Sequence, residues 1–275
     1  MFINYNGFLL NKKLPLLLLL LIISLPAVTQ TIIPPEPYGG ERLMKQFLQE
    51  EMVYPPPAIA NGEEGNVDLS FSVGQDGIVS NIVVQKSVSP LVDKEAIRLL
   101  KLIQWYPARE IGIAVKANYE LRIGFKIKRY EKWVKNRGYD AYSYPIEPVD
   151  SSFKVFKRED TDQYPRPVFS SLDLNLSHFI STHLTYPEAA FRANVSGTVH
   201  LRFVVEPSGR ISNIRVIEGV GGGCTEEAIR VVKMIDWLPG LKDKMAVRTC
   251  IPIEITFDIS KKTVGGNIPN PGQLQ

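Results

Sequence analysis

A displacement of 132 positions lays this chain onto itself without a gap. Tyr54-Pro55 recurs as Tyr186-Pro187, and Gly65 as Gly197. Gly77, Ser80, Asn81 and Ile82 recur as Gly209, Ser212, Asn213 and Ile214. Glu95-Ala96-Ile97-Arg98 returns as Glu227-Ala228-Ile229-Arg230, and Trp105 and Pro107 as Trp237 and Pro239. Phe125 and Ile127 return as Phe257 and Ile259. Chance does not hold one register over so many matches. Two units are too few for a solenoid, which needs about three repeats sharing a core. Each unit must therefore close a core of its own.

The pattern inside a unit is legible twice. Val67, Leu69, Phe71 and Val73 alternate with polar residues, as do Val199, Leu201, Phe203 and Val205, and a period of two marks a half-buried strand. Gly74-Gln75-Asp76-Gly77 and Glu206-Pro207-Ser208-Gly209 follow, the second fitting a type I turn. A second strand with Ile82 and Val84, or Ile214 and Val216, completes an antiparallel hairpin. Ala96, Leu99, Leu100 and Ile103 then recur at helical spacing, as do Ala228, Val231, Val232 and Ile235. Asp93 and Thr225 stand where an N-cap oxygen is wanted. Glu95 and Glu227 add negative charge to the first turn. Pro107 and Pro239 are expected to end the helices. A closing strand carries Tyr119, Leu121, Ile123 and Phe125, or Ile251, Ile253, Ile255 and Phe257.

The expectation is an α+β chain of two tandem small domains. Each is strand-strand-helix-strand, with a helix packed on an antiparallel three-stranded sheet. An amphipathic segment with Leu43, Met44, Phe47 and Leu48 precedes the first unit, and one with Phe179 and Ile180 precedes the second. Both read as short helices at a domain edge. The domains span 31–130 and 165–260. Residues 131–164 are polar and weakly periodic and read as a linker. Residues 261–275 contain Gly265-Gly266 and two prolines and read as a disordered tail.

Lys12 and Lys13 precede an apolar run from Leu14 to Val28, followed by Thr29 and Gln30. A basic start, a short apolar core and small residues at the exit make residues 1–30 a secretory signal peptide. The alternative is a short retained anchor, although a spanning helix needs about 20 apolar residues. Export permits a disulfide between Cys224 and Cys250. Two small buried thiols are the plain alternative. The net charge of +3 over 275 residues argues against a dedicated nucleic-acid binder. His178, His183 and His200 show no metal-ligand spacing. No nucleophile elbow, dinucleotide fingerprint or phosphate loop is present. Neither catalysis, metal nor cofactor is expected.

Taken in order, the Tyr-Pro pair, Gly-x-Val-x-Leu-x-Phe-x-Val, the Gly turn, Asn-Ile-x-Val, Glu-Ala, Trp-x-Pro and the closing Ile-x-Phe resemble the C-terminal domain of TonB. Pro37-Tyr38-Gly39-Gly40 resembles the Pro-x-x-Gly-Gly lead-in of many such domains. The likeness covers about 37–128 and 169–260. It implies a periplasmic module, in TonB-type transmembrane transport of a Gram-negative envelope, that grips a short extended peptide of an outer-membrane transporter. Full transducers also carry an anchor histidine and a long Pro-rich spacer. No histidine lies in the apolar run here, and few residues separate that run from the first unit. The expectation is therefore a periplasmic adaptor that binds extended segments of outer-membrane or other envelope proteins. The alternatives are a short inner-membrane-anchored transducer and a structural protein held by cell-wall polymer. A homo-oligomer is left open.

Tyr54, Pro55, Tyr186 and Pro187 match the family's segment near the peptide, and bracing of the first strand is their structural alternative. The last strand is the better physical candidate, because a sheet edge offers unpaired N–H and C=O groups. Glu120 and Arg122, with Glu254 and Thr256, mark that edge. Pro252 lies within it, and proline is tolerated only at edges or bulges. The first copy, with Glu120 in that place, is expected to have the more open edge. Gly65, Gly77, Trp105, Pro107, Gly197, Gly209, Trp237 and Pro239 read as structural. The basic, aromatic run from Lys126 to Arg137, with Tyr130 and Trp133, reads as a solvated strand end, an anionic-polymer contact being its functional alternative.

Overall fold

The computed structural model describes residues 32–136, 148–169, 175–260 and 263–267. All of them lie in one compact unit. The signal peptide or anchor expected over 1–30 falls outside the described residues. Among the described residues no helix is long and apolar enough to cross a membrane.

The first copy runs α1 (Gly40–Glu51), α2 (Pro56–Ala60), β1 (Gly65–Val73), β2 (Val79–Lys86), α3 (Pro90–Leu102) and β3 (Ala117–Phe125). Its strands form an antiparallel sheet in the order β2-β1-β3, with Val67 opposite Ile123 and Leu69 opposite Leu121. The alternating apolar face of β1 and β3 meets Val92, Ala96, Leu99 and Leu100 of α3, all fully buried. Full burial of one such aliphatic side chain is worth about 1.5–3 kcal/mol, so the period-two and helical patterns are the two halves of one core. α4 (Ile127–Asn136) follows.

The second copy repeats the plan with α5 (Leu176–His183), α6 (Glu188–Arg192), β5 (Gly197–Val205), β6 (Ile211–Glu218), α7 (Cys224–Val232) and the long β8 (Met245–Asp258), which β7 (Gly240–Lys242) precedes as a hairpin partner. Here the expected three-stranded sheet is enlarged. A strand at Val155–Lys157, β4, pairs in parallel with Arg248–Cys250, and β9 (Thr263–Asn267) pairs antiparallel with Glu254–Asp258. The stretch expected as a linker thus contributes α4 and β4, together with bridges from Val149 to Ala246 and from Gln163 to Leu241. The tail expected to be disordered contributes β9.

Helix ends differ from the sequence expectation. Ser89 caps α3, its Oγ accepting from Val92 N–H, because Pro90 is preset for the first helical position. Asp93 instead accepts from Val88 N–H and Ser87. Gly223, at φ +90°, stands at the start of α7, while Thr225 exchanges hydrogen bonds with the backbone of Val220. α3 stops at Leu102, ahead of Pro107, because Trp105–Tyr106 pairs with Glu36–Pro37 as a two-residue ladder. Trp237 likewise pairs with Pro167 ahead of Pro239.

The repeated turn glycines are dictated by space as well as conformation. Gly77 and Gly209 both have φ near +79°, and a Cβ there would stand 2.3 Å from Trp105 O and 2.4 Å from Trp237 O. Trp237 N–H also donates to Gly209 O. Gly209→Ala is expected to cost about 2–3 kcal/mol, from the left-handed backbone and the overlap together. Urea unfolding would measure it, and a loss below about 0.5 kcal/mol would contradict this account of the turn.

The repeated Glu-Ala-Ile-Arg is a clamp on the preceding helix. Glu95 accepts from Val53 N–H and binds Arg98, whose guanidinium donates to Glu51 O at the end of α1. Glu227 accepts from Thr185 N–H and binds Arg230, which donates to His183 O at the end of α5. A guanidinium on the last carbonyls complements the negative end of the helix dipole. The Arg230 bond also holds the Glu227 carboxyl below its usual range.

The copies meet along a polar seam. Leu43 of α1 enters the core of the second copy. Asn213, at φ +50°, accepts from Gln104 N–H and donates to Leu102 O, closing the end of α3. Arg248 and Glu206, 3% and 2% exposed, form a two-point ion pair, and Arg248 also donates to Leu102 O and Phe153 O. Arg210 reaches the end of α1 at Glu50 O and Glu51.

Candidate docking edge

β3 pairs only with β1 among the described residues, so its other side is an open edge. Proline identifies which residues point outward there. In an antiparallel ladder the N–H and C=O of one residue face the same side, and successive residues alternate. Pro252 lies opposite Arg202 of β5 and has no N–H to give. Its position is therefore one that faces away from β5. By parity Glu254 and Thr256 face outward too. At the displacement of 132 these are Glu120, Arg122 and Gly124 of β3.

The second copy shows what such an edge accepts. β9 lies against β8 with Asn267 opposite Glu254, Gly266 opposite Ile255 and Gly265 opposite Thr256. Pro252 falls in the gap between β4, which ends opposite Cys250, and β9, which ends opposite Glu254. A missing donor costs nothing there. The added strand packs beside α5: a Cβ on Gly266 would stand 2.0 Å from Ile180 Cδ1.

The matching groove of the first copy lies between α1 and β3 and is closed at one end by α4. A cavity of about 190 Å³ occupies it, lined by Leu48 and Met52, by Arg122, Ile123 and Gly124, and by Tyr130 and Trp133. Leu48 is the counterpart of Ile180. Lys45, Gln49, Lys126 and Arg129 complete the wall, and among the described residues no carboxylate lines it. Arg122 is paired with Asp68 and Lys45 with Glu41 across exposed salt bridges. Arg129 bonds the neutral Gln49.

The other proposed contacts are placed differently. Tyr54 is 2% exposed, edge-on to Phe125, and its hydroxyl donates to Glu63 O. Burial, with Glu64 and Glu63 nearby, pushes that hydroxyl up to about 12. Tyr186 is edge-on to Phe257 and donates to Val195 O. Pro55 and Pro187 precede α2 and α6 at their N-termini. The Tyr-Pro pairs therefore brace the entry to the first strand, and Tyr54 presents no ring surface to a partner. Trp105 and Trp237 are 1% exposed and packed on Phe71 and Phe203, within the cores. Glu120 and Arg122 lie on an exposed edge, whereas β9 already pairs with Glu254 and Thr256.

The cysteines are free thiols. Cys224 is buried in the second core, which β8 faces with Ile251 and Ile253. Cys250, one residue from Ile251, points to the opposite face of the sheet, so the bridge that export would permit does not form. Burial raises both thiols above their ordinary value. No cluster of metal-ligating side chains occurs among the described residues.

Sequence reasoning missed Leu48, Tyr130 and Trp133 as groove residues. Ile127, Tyr130 and Val134 stand at i, i+3 and i+7, which is the helical signal of α4. β9 had only the β-branched pair Thr263-Val264 to announce it.

Two small α+β units are joined in one body, and one of them has an open sheet edge beside a helix. The model of the Gram-negative bacterial TonB protein C-terminal matches residues 50–127 and 182–259. The chain belongs to that family, whose domains make protein interactions in TonB-type envelope transport. No curated protein sequence matches the chain.

Proposed function

We propose that the chain is an exported periplasmic adaptor that captures extended segments of outer-membrane or other envelope proteins along β3. The observation that carries this reading is the asymmetry of the two edges. The equivalent strand β8 is covered by β4 and β9, whereas β3 pairs only with β1 among the described residues. Main-chain hydrogen bonds to such an edge supply affinity for an extended peptide. The first copy binds, and the second braces it through the Arg248–Glu206 seam.

Glu120→Pro tests the reading with a residue that the fold already tolerates at Pro252. It removes one outward N–H and leaves the ladder to β1 intact. Capture of envelope segments is expected to weaken roughly tenfold, the worth of one hydrogen bond with the poorer fit of its neighbours. Glu120→Gln, which keeps the N–H, should retain capture. Unchanged capture by the proline variant, with its circular dichroism preserved, would remove β3 as the docking strand.

A further inference from the structure

The two grooves share a backbone plan and carry opposite charge. Arg122 of β3 and Lys126 just after it correspond to Glu254 and Asp258 of β8. The acidic edge of the second copy is paired with the chain's own β9, and the sequence entering β9 carries Lys261 and Lys262. The open groove of the first copy has a basic wall, with no carboxylate among its described lining residues. Two of its cations are offset by Glu41 and Asp68, whereas Lys126 and Arg129 have no salt bridge among the described residues, the nearby Glu64 accepting from Ile127 N–H.

We infer that the first groove takes an acidic peptide strand, antiparallel to β3 across Arg122–Lys126, with an apolar residue between its carboxylates. This rests on the reading of β3 as the docking edge. The register comes from β9. In the second copy the residue opposite Ile255 is Gly266, which packs so closely on Ile180 that a Cβ there would displace Ile180 Cδ1. Opposite Ile123, the equivalent place, lies the cavity of about 190 Å³ beside Leu48. A cavity of about 150 Å³ holds a benzene ring, so a valine- or leucine-sized side chain fits. Residues flanking it alternate to the other face of the added strand, where Arg122 and Lys126 are exposed. Trp133 Nε1–H, buried without a hydrogen-bond partner among the described residues, adds a donor on the groove wall.

The test titrates the purified full chain with two labelled seven-residue peptides, one alternating glutamate with valine and the other lysine with valine, read by fluorescence anisotropy. The acidic peptide is expected to bind roughly tenfold more tightly at low salt, with the margin shrinking as salt screens the exposed cations. Lys126→Glu with Arg129→Glu should reverse the preference. Lys126→Ala, which keeps the contact of Arg129 with Gln49, should narrow it. Equal binding of both peptides, weakened alike by Glu120→Pro, overturns the charge assignment and leaves the edge reading standing. Binding indifferent to Glu120→Pro overturns the edge reading instead. If neither peptide binds and soluble wall fragments do, both fall.

Discussion

Glu206→Ala is expected to destabilise the chain by about 3–5 kcal/mol, because it leaves a buried guanidinium without its carboxylate. Arg248 is 3% exposed, and both oxygens of Glu206 receive its N–H groups at 2.8 Å. Ser212 donates to the same carboxylate, so its hydroxyl loses a partner too. The remaining bonds of Arg248, to Leu102 O and Phe153 O, join the second copy to the end of α3 and to the segment before β4. The loss should therefore fall on the seam as well as on the second core. Urea unfolding gives the magnitude, and limited proteolysis should show faster cleavage near Phe153. The double change Glu206→Leu with Arg248→Met removes both charges and should cost less, about 1–3 kcal/mol, chiefly from Phe153 O and the Ser212 hydroxyl losing their partners, since Asn213 still donates to Leu102 O. A single variant within about 1 kcal/mol of the parent would mean that water or a neighbouring cation replaces the pair.

The residues that close each core were legible because a strand with one buried face and a helix with one buried stripe leave periodic traces. Val67 to Val73 and Ala96 to Ile103 follow those periods, and their counterparts repeat them at the same displacement. Structure that depends on what lies across the edge left weaker traces. β9 contains Gly265-Gly266, which reads as a flexible tail, yet Gly266 packs closely against the end of the Ile180 side chain. α4 was obscured by its density of lysine and arginine, although Tyr130 packs on Tyr54. Asn213 recurs from Asn81 with the same left-handed backbone, but only Asn213 lies at the seam and bonds the end of α3. A repeat reports the fold that the copies share. It is silent on which copy covers which surface, because that depends on the few positions where they differ. Arg122 against Glu254 and Glu120 against Pro252 are such positions, and the choice of an open edge rests on them.

Removal of residues 261–275 should turn the second copy into a second docking edge. Without β9, the outward N–H and C=O groups of Glu254 and Thr256 lose their strand partner, and the contact of Ile180 with Gly266 is gone. The cost in folding stability should be modest, because ordering a five-residue strand opposes most of what its few hydrogen bonds contribute. Association should change far more, since an exposed edge beside an apolar wall is a template for pairing. Sedimentation velocity is expected to show larger species for the truncated chain, and a peptide spanning residues 261–267 should disperse them when added in trans. Peptide stoichiometry should rise from about one to about two per chain, as a second edge becomes available. The new site should prefer the lysine-containing peptide, opposite to the first, because Glu254 and Asp258 line it. A truncated chain that sediments like the parent and gains no site would show that β9 does not guard the edge, and the asymmetry between the copies would then need another cause.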